Sequence, residues 1–162
     1  MIALGHRTIE PGTGHEAGRT LLAELFRAHV GGELPSIRVT DRGKPFFEDS
    51  PIHFSITHTK HHVFAALSDR PIGIDAEERD RSISLALADK ILSPAEKARF
   101  ALADDKQAAL LRLWVQKEAA AKRTGVGLRG YPNHTDFSPE DPGILQIHGC
   151  YVAVSEEDDH VI

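Results

Sequence analysis

Ile52-His53-Phe54-Ser55-Ile56-Thr57-His58 alternates apolar with polar side chains, the period of a half-buried β-strand rather than of a helix. A polar turn follows, then the apolar run Val-Phe-Ala-Ala-Leu at 63–67, so the two segments predict a β-hairpin. Residues 72–75, set off by Asp69, Arg70 and Pro71, predict another short strand. Working outward, Ala17, Leu21, Leu22, Leu25, Phe26 and Ala28 recur every three to four residues and mark an amphipathic helix over 15–29, with a short strand expected at 37–40. Ser93-Pro94-Ala95-Glu96 spells a helix start, with a capping hydroxyl, a proline in the first turn and a carboxylate reaching back to the cap. A longer helix is expected over 105–124, rich in Ala, Leu, Lys and Gln, with Gly125 as its left-handed stop. Pro132, Pro139 and Pro142 mark loops, and 144–147 and 151–154 predict a closing pair of strands. Strands and helices mix along the chain, which reads as α+β.

The chain has 162 residues, room for one domain or two very small ones. Its apolar share is 41%, enough for a core, and no apolar run approaches the roughly 18–20 residues of a membrane span; a soluble protein with no membrane partner is expected. The first ten residues carry His6, Arg7 and Glu10 and do not read as a signal peptide. Cys150 is the only cysteine, which excludes an internal disulfide and agrees with a reducing compartment, so a cytoplasmic location is expected. A net charge of -5 argues against broad nucleic-acid binding, which needs basic surface. Glu156, Glu157, Asp158 and Asp159 read as a solvated acidic end.

Two segments carry chemistry. Asp75 and Glu77 stand two apart at the end of a strand, so an extended backbone points both carboxylates to one side. A hard cation would resolve their repulsion, since magnesium takes oxygen ligands from one or two carboxylates, waters and phosphates; a solvated turn is the plain alternative. On the long helix Leu110, Leu113, Trp114, Lys117 and Ala121 share a stripe flanked by Glu118 and Lys122. An apolar face that runs into charge suggests a site; an exposed Glu118–Lys122 pair, worth about 0.3–0.5 kcal/mol, is the alternative. His58, His61 and His62 stand at spacings compatible with a transition metal, but in a hairpin turn they would diverge. Glu96 has a local explanation as the capping-box partner.

Taken in order, Gly43-Lys44-Pro45, Phe54-Ser55-Ile56-Thr57-His58-Thr59, Gly73-Ile74-Asp75-Ala76-Glu77 and Trp114-Val115-Gln116-Lys117-Glu118-Ala119-Ala120-Ala121-Lys122, continued by Gly125-Val126-Gly127-Leu128, resemble the motifs of the 4'-phosphopantetheinyl transferase superfamily, in its larger class named after the surfactin-synthetase-activating enzyme. The resemblance spans about 14–151. It implies the α+β fold of that family, two similar halves at 1–72 and 73–162 forming a pseudo-dimer, and transfer of the 4'-phosphopantetheine arm of coenzyme A to a serine of an apo acyl or peptidyl carrier protein, with magnesium.

Carried over residue by residue, the resemblance makes Asp75, Glu77 and Glu118 metal ligands and Asp75, Glu118 and Lys122 the catalytic set. Lys122 and Lys117 would contact the diphosphate, and Lys44, Arg42, Ser55, Thr57 and His58 the nucleotide end; Glu96 is a further candidate near the metal helix. Glu118 is the expected base for the carrier serine. Members of this class are commonly longer at the front, where basic residues meet the nucleotide; Arg7, Arg19 and Arg42 are the candidates here, and the first sheet could borrow a strand from another copy. The competing functions are another magnesium-dependent nucleotide phosphotransferase or hydrolase, although a Walker-type loop is missing, and a non-catalytic relative that binds coenzyme A or a carrier protein.

Overall fold

A computed structural model describes residues 1–126 and 136–157; Gly127, Leu128, Pro132, Asp158 and Asp159, named above, lie outside the described residues. In chain order the elements are β1 (Ala3–Thr8), α1 (Gly14–His29), β2 (Ile37–Val39), β3 (Pro45–Phe47), β4 (His53–His58), β5 (His62–Ser68), β6 (Ile72–Glu78), a 3-10 turn at Leu85–Leu87 running into α2 (Ala88–Ile91), α3 (Pro94–Leu102), α4 (Lys106–Thr124), β7 (Leu145–Ile147) and β8 (Cys150–Glu156). The mixed α and β content expected from the sequence is present. The predicted hairpin is β4–β5, antiparallel with Ile56 opposite Ala65 and Thr57 opposite Phe64.

Two strands went unnoticed. β1 reads Ala-Leu-Gly-His-Arg-Thr, without a clean alternation, and forms because it pairs along its length with β5. β3 begins on Pro45 and is three residues long, too short for a pattern to register. The helix ends follow the sequence closely. Ser93 and Glu96 make the full capping box of α3, the Asp105 side chain accepts from the Ala108 amide at the start of α4, and Gly125 closes α4 at φ 76°.

The strands form sheets in the order β1-β5-β4, β2-β3 and β6-β8-β7. Alternation decides what each face meets. On β5, Val63, Ala65 and Leu67 pack with Leu21, Leu22 and Phe26 of α1, while Phe64 and Ala66 turn the other way onto Ile72, Ile74 and Val152 of the third sheet. Leu110, Leu111, Val115 and Ala119 of α4 cover Tyr151 and Ala153 on that sheet's far side. The order of layers is therefore α1, first sheet, third sheet, α4. Phe64 is fully buried between the sheets, and truncation of such a side chain costs about 3–5 kcal/mol.

At one end of the layer between the sheets, the His6 ring stacks on His148 with centroids 3.6 Å apart, and His6 Nε2 shares a hydrogen bond of 2.9 Å with His62 Nδ1. Burial, then the neighbouring His148 and His62 imidazoles and Arg7, hold His6 down at about 4. The three histidines of the β4–β5 turn diverge: His58 lies against Gly14, His61 meets Glu78 at 2.5 Å and His62 meets His6. Burial pushes the Cys150 thiol up to about 11, with Glu78, Glu77 and Asp80 adding to the effect, so this cysteine is an inert core residue at neutral pH.

Candidate active site

β6 is the edge of its sheet, and its odd-numbered residues turn to α4 while Ile72, Ile74 and Ala76 enter the core between the sheets. Gly73 makes the close approach possible: a Cβ there would stand 2.0 Å from the Ala119 carbonyl oxygen and 2.4 Å from the Arg123 nitrogen. Both are backbone atoms that cannot step aside, so any larger residue would push α4 away from β6. With the helix this close, Asp75 and the α4 residues Glu118 and Lys122 come together, one helical turn apart on the helix and across from the strand.

Asp75 is buried, at 6% exposure. Its Oδ1 accepts from Lys122 Nζ at 2.9 Å and from Thr57 Oγ1 at 3.3 Å; Lys122 Nζ also donates to the Ile74 carbonyl at 3.1 Å. The second oxygen, Oδ2, is buried without a hydrogen-bond partner. Burial raises the Asp75 carboxyl to about 6, against the pull of Lys122, and the nearby Glu77 and Glu118 carboxylates push in the same direction as burial. Glu118 is raised as well, first by burial, with Lys122 opposing and Glu77 adding. Three carboxylates thus feel one another across this corner, and the most deeply placed has a free oxygen. Glu77 is engaged at 2.7 Å by Arg81, in the turn after β6, a pairing that a strand's spacing gives no reason to expect.

An open cavity of about 260 Å3 adjoins this corner, lined by Arg42, Gly43, Lys44 and Pro45 of the β2–β3 connection, Phe54, Ser55 and Ile56 of β4, and Glu118, Ala121, Lys122 and Gly125 of α4. Lys44 lies along Gly125 and its ammonium donates to the Arg123 carbonyl at the end of α4. Burial, then Arg123, lowers the Lys44 pKa. Ser55 Oγ accepts from the Ile74 amide at 3.0 Å, tying β4 to β6 across the gap between the sheets. The apolar lining residues Phe54, Ile56 and Ala121 carried no signal in the sequence as site residues, because each also fits an ordinary core position.

Of the residues expected from sequence, Lys44, Arg42, Ser55, Glu118 and Lys122 line the cavity; Asp75 and Thr57 do not line it, but Asp75 is bonded to the lining residue Lys122 and to Thr57. His58 does not join them. It lies on a neighbouring groove of about 750 Å3 shared with Lys60, His61, Glu77, Glu78 and Arg81, so Glu77 borders the groove, while Asp75 is linked to the cavity through Lys122. Lys117 requires a correction. Its side chain is 2% exposed and its ammonium pairs with Glu96 at 2.8 Å, on the side of α4 that faces α3, which leaves no ammonium for a diphosphate. Glu96 is likewise sealed, with Oε1 also taking the Ser93 amide and Oε2 the Phe137 amide.

Among the described residues, no group of three or more His, Cys, Asp or Glu side chains stands in ready metal-ligand geometry. The donor set nonetheless suits a hard divalent cation: all oxygen, two carboxylates raised by burial and mutual repulsion, and a buried oxygen without a partner. No helix among the described residues is long and apolar enough to cross a membrane.

The chain is 33% identical over 123 residues to 4'-phosphopantetheinyl transferase psf-1 of Bacillus pumilus, a match covering 70% of this chain and 52% of that protein. It is 32% identical over 114 residues to 4'-phosphopantetheinyl transferase AcpT of Salmonella typhimurium, covering 67% and 57%. To the holo-[acyl-carrier-protein] synthase of Thiobacillus denitrificans it is 34% identical over 93 residues, covering 46% of this chain and 70% of that one. The chain spans about half the length of the Bacillus relatives it matches. The profile described as the 4'-phosphopantetheinyl transferase superfamily matches residues 71–153, from the start of β6 into β8, which contains Asp75, Glu77, Glu118 and Lys122. The chain belongs to the 4'-phosphopantetheinyl transferase superfamily.

Proposed function

We propose that this chain transfers the 4'-phosphopantetheine arm of coenzyme A to a serine hydroxyl of an apo carrier protein, with a magnesium ion, and that residues 1–72 and 73–162 act as two halves enclosing the nucleotide. The observation that carries the reading is the meeting of Asp75, with its unpartnered buried oxygen, with Glu118 and Lys122, which line a cavity together with Lys44 and Arg42. Carboxylates for a cation and cations for phosphates converge on one opening, as a metal-assisted diphosphate reaction needs.

Asp75 and Glu118 are the residues to hold the ion, with Glu77 at the groove side. Bound there, a divalent cation would neutralise the charge that gathers on the diphosphate. Lys122, partly exposed at the cavity, supplies a second positive contact to the diphosphate. Lys44 and Arg42 hold the phosphates of the nucleotide end, and the Ser55 and Thr57 hydroxyls fix β4 against β6 so that the two walls keep their distance. In the reaction the serine oxygen forms a bond to the β-phosphorus, the bond from that phosphorus to the bridging oxygen breaks, and 3',5'-adenosine diphosphate leaves. Glu118 takes the serine proton, directly or through water held by the ion.

The test is direct. The protein is incubated with coenzyme A, magnesium and a panel of apo carrier proteins, and intact-mass measurement looks for the gain of the arm on serine. Mass gain supports the reading. Nucleotide hydrolysis without transfer, or tight binding of coenzyme A with neither activity, would replace it with one of the two competing functions.

A further inference from the structure

Taking the proposed function as its premise, we propose that Lys122 is the resident counter-ion of Asp75 and yields that carboxylate only to a divalent cation that arrives with a diphosphate, so that metal and coenzyme A bind as a coupled pair rather than independently.

A carboxylate buried to this depth is unfavourable unless a cation faces it, and in this structure the cation is the Lys122 ammonium, 2.9 Å from Oδ1 and 3.1 Å from the Ile74 carbonyl. With Lys122 on Oδ1, a divalent ion on the free Oδ2 would stand close to the ammonium and be weakened by its repulsion. A metal therefore takes Asp75 most tightly once Lys122 has moved away. Lys122 is built to do so: its side chain is 33% exposed and lines the cavity, so it can swing outward without unpacking the core. Leaving Asp75 strips the ammonium of its hydrogen-bonded carboxylate, and with Glu118 engaged by the ion a further anion in the cavity restores a partner. A diphosphate beside Glu118 and Lys44 is such an anion, and a charge-assisted bond from Lys122 to it replaces the one given up. Glu77 is held in the same way by Arg81, so both carboxylates expected to meet the metal from β6 carry a cation from their own chain. Coupling of this kind is reciprocal: whatever factor coenzyme A adds to metal affinity, metal adds to coenzyme A affinity.

The measurement uses Mn2+ as the probe, with free Mn2+ read by electron paramagnetic resonance, on the wild-type protein and on Lys122→Met, each with and without coenzyme A. Without coenzyme A, Lys122→Met is expected to bind Mn2+ at least about tenfold more tightly than the wild type, and coenzyme A is expected to tighten Mn2+ at least about tenfold in the wild type but far less in the variant. Lys122→Gln, which keeps a donor for the Ile74 carbonyl without the charge, is expected to repeat the gain, and a cooperative thermal melt for each establishes that both variants are folded. If neither variant binds Mn2+ more tightly than the wild type, or if coenzyme A leaves wild-type Mn2+ affinity unchanged, Lys122 is not the gatekeeper and the inference falls while the proposed function stands. If the wild type binds no Mn2+ even with coenzyme A, the metal-dependent function falls and takes this inference with it.

Discussion

Helix α4 presents two lysines, five residues apart, to two buried carboxylates, and the pairs differ in every respect that matters. Lys117 and Glu96 are 2% and 0% exposed, and each Glu96 oxygen has its own amide partner besides the ammonium, Ser93 on one and Phe137 on the other. Lys122 and Asp75 are 33% and 9% exposed, and one Asp75 oxygen has nothing. The first pair is closed and satisfied, so it serves to pin α3 and the Phe137 segment to α4. The second is open at the lysine and unsatisfied at the aspartate, next to a cavity lined with further cations. A buried ion pair by itself therefore says little about function; the leftover hydrogen-bonding capacity and the access of one partner separate scaffold from site.

The sharpest way to break this contrast is to remove one member of the closed pair. Lys117→Met leaves Glu96 buried without its cation and is expected to lower unfolding free energy by about 3–5 kcal/mol in urea titrations, with Glu96→Gln added to it recovering part of the loss. A neutral Lys117→Met would mean that the pair does not pin the helices. The opposite pattern is expected at the open site: Glu118→Gln should lower the single-turnover rate of arm transfer by about 10²–10⁴-fold with its melting midpoint unchanged, and full retention of rate would remove Glu118 as the base.

Smaller effects refine the picture. Lys44→Ala is expected to weaken coenzyme A binding by calorimetry by about tenfold while leaving the rate at saturation nearly intact, the pattern of a residue proposed to hold the nucleotide end rather than the reacting atoms. The smallest change concerns pH. The Asp75 carboxyl titrates at about 6 in the folded chain against 3.8 ordinarily, so between those values the folded state binds a proton that the unfolded state does not. Charged Asp75 therefore opposes folding above pH 6, and the penalty fades as pH falls toward 4. Asp75→Asn should accordingly be more stable than the wild type at pH 7.5, by an amount on the order of 1 kcal/mol, with the advantage shrinking as pH approaches 4 and metal binding lost throughout. A variant less stable at pH 7.5 would show that the Lys122 contact outweighs burial.

Much of this site was readable before any coordinates. Asp75 and Glu77 share a face of β6 because an extended strand repeats every two residues, and Glu118 and Lys122 share a flank of α4 because a helix repeats near four. Glu96 was placed by its capping box, and that local reason turned out to coincide with its partnership with Lys117. Lys117 was misplaced because its position on the stripe says only that it lies beside Trp114 and Leu113; whether an ammonium there meets solvent, phosphate or a buried carboxylate depends on what α3 brings across. His58 was assigned to the nucleotide on motif order, yet its ring turns to Gly14 and the neighbouring groove, since strand alternation fixes a side and not which cleft that side borders.

From the residues alone came the α+β class, the helix caps, the central hairpin and the identity of the charged groups, all set by interactions within a few positions along the chain. Tertiary structure alone decided the pairing of β1 with β5, the layering of the two sheets and the sorting of two similar lysines into scaffold and site. The physical reason is that periodicity encodes which face of an element is apolar, whereas the fate of a charge depends on its desolvation and its partners, and those arrive from segments dozens of residues away.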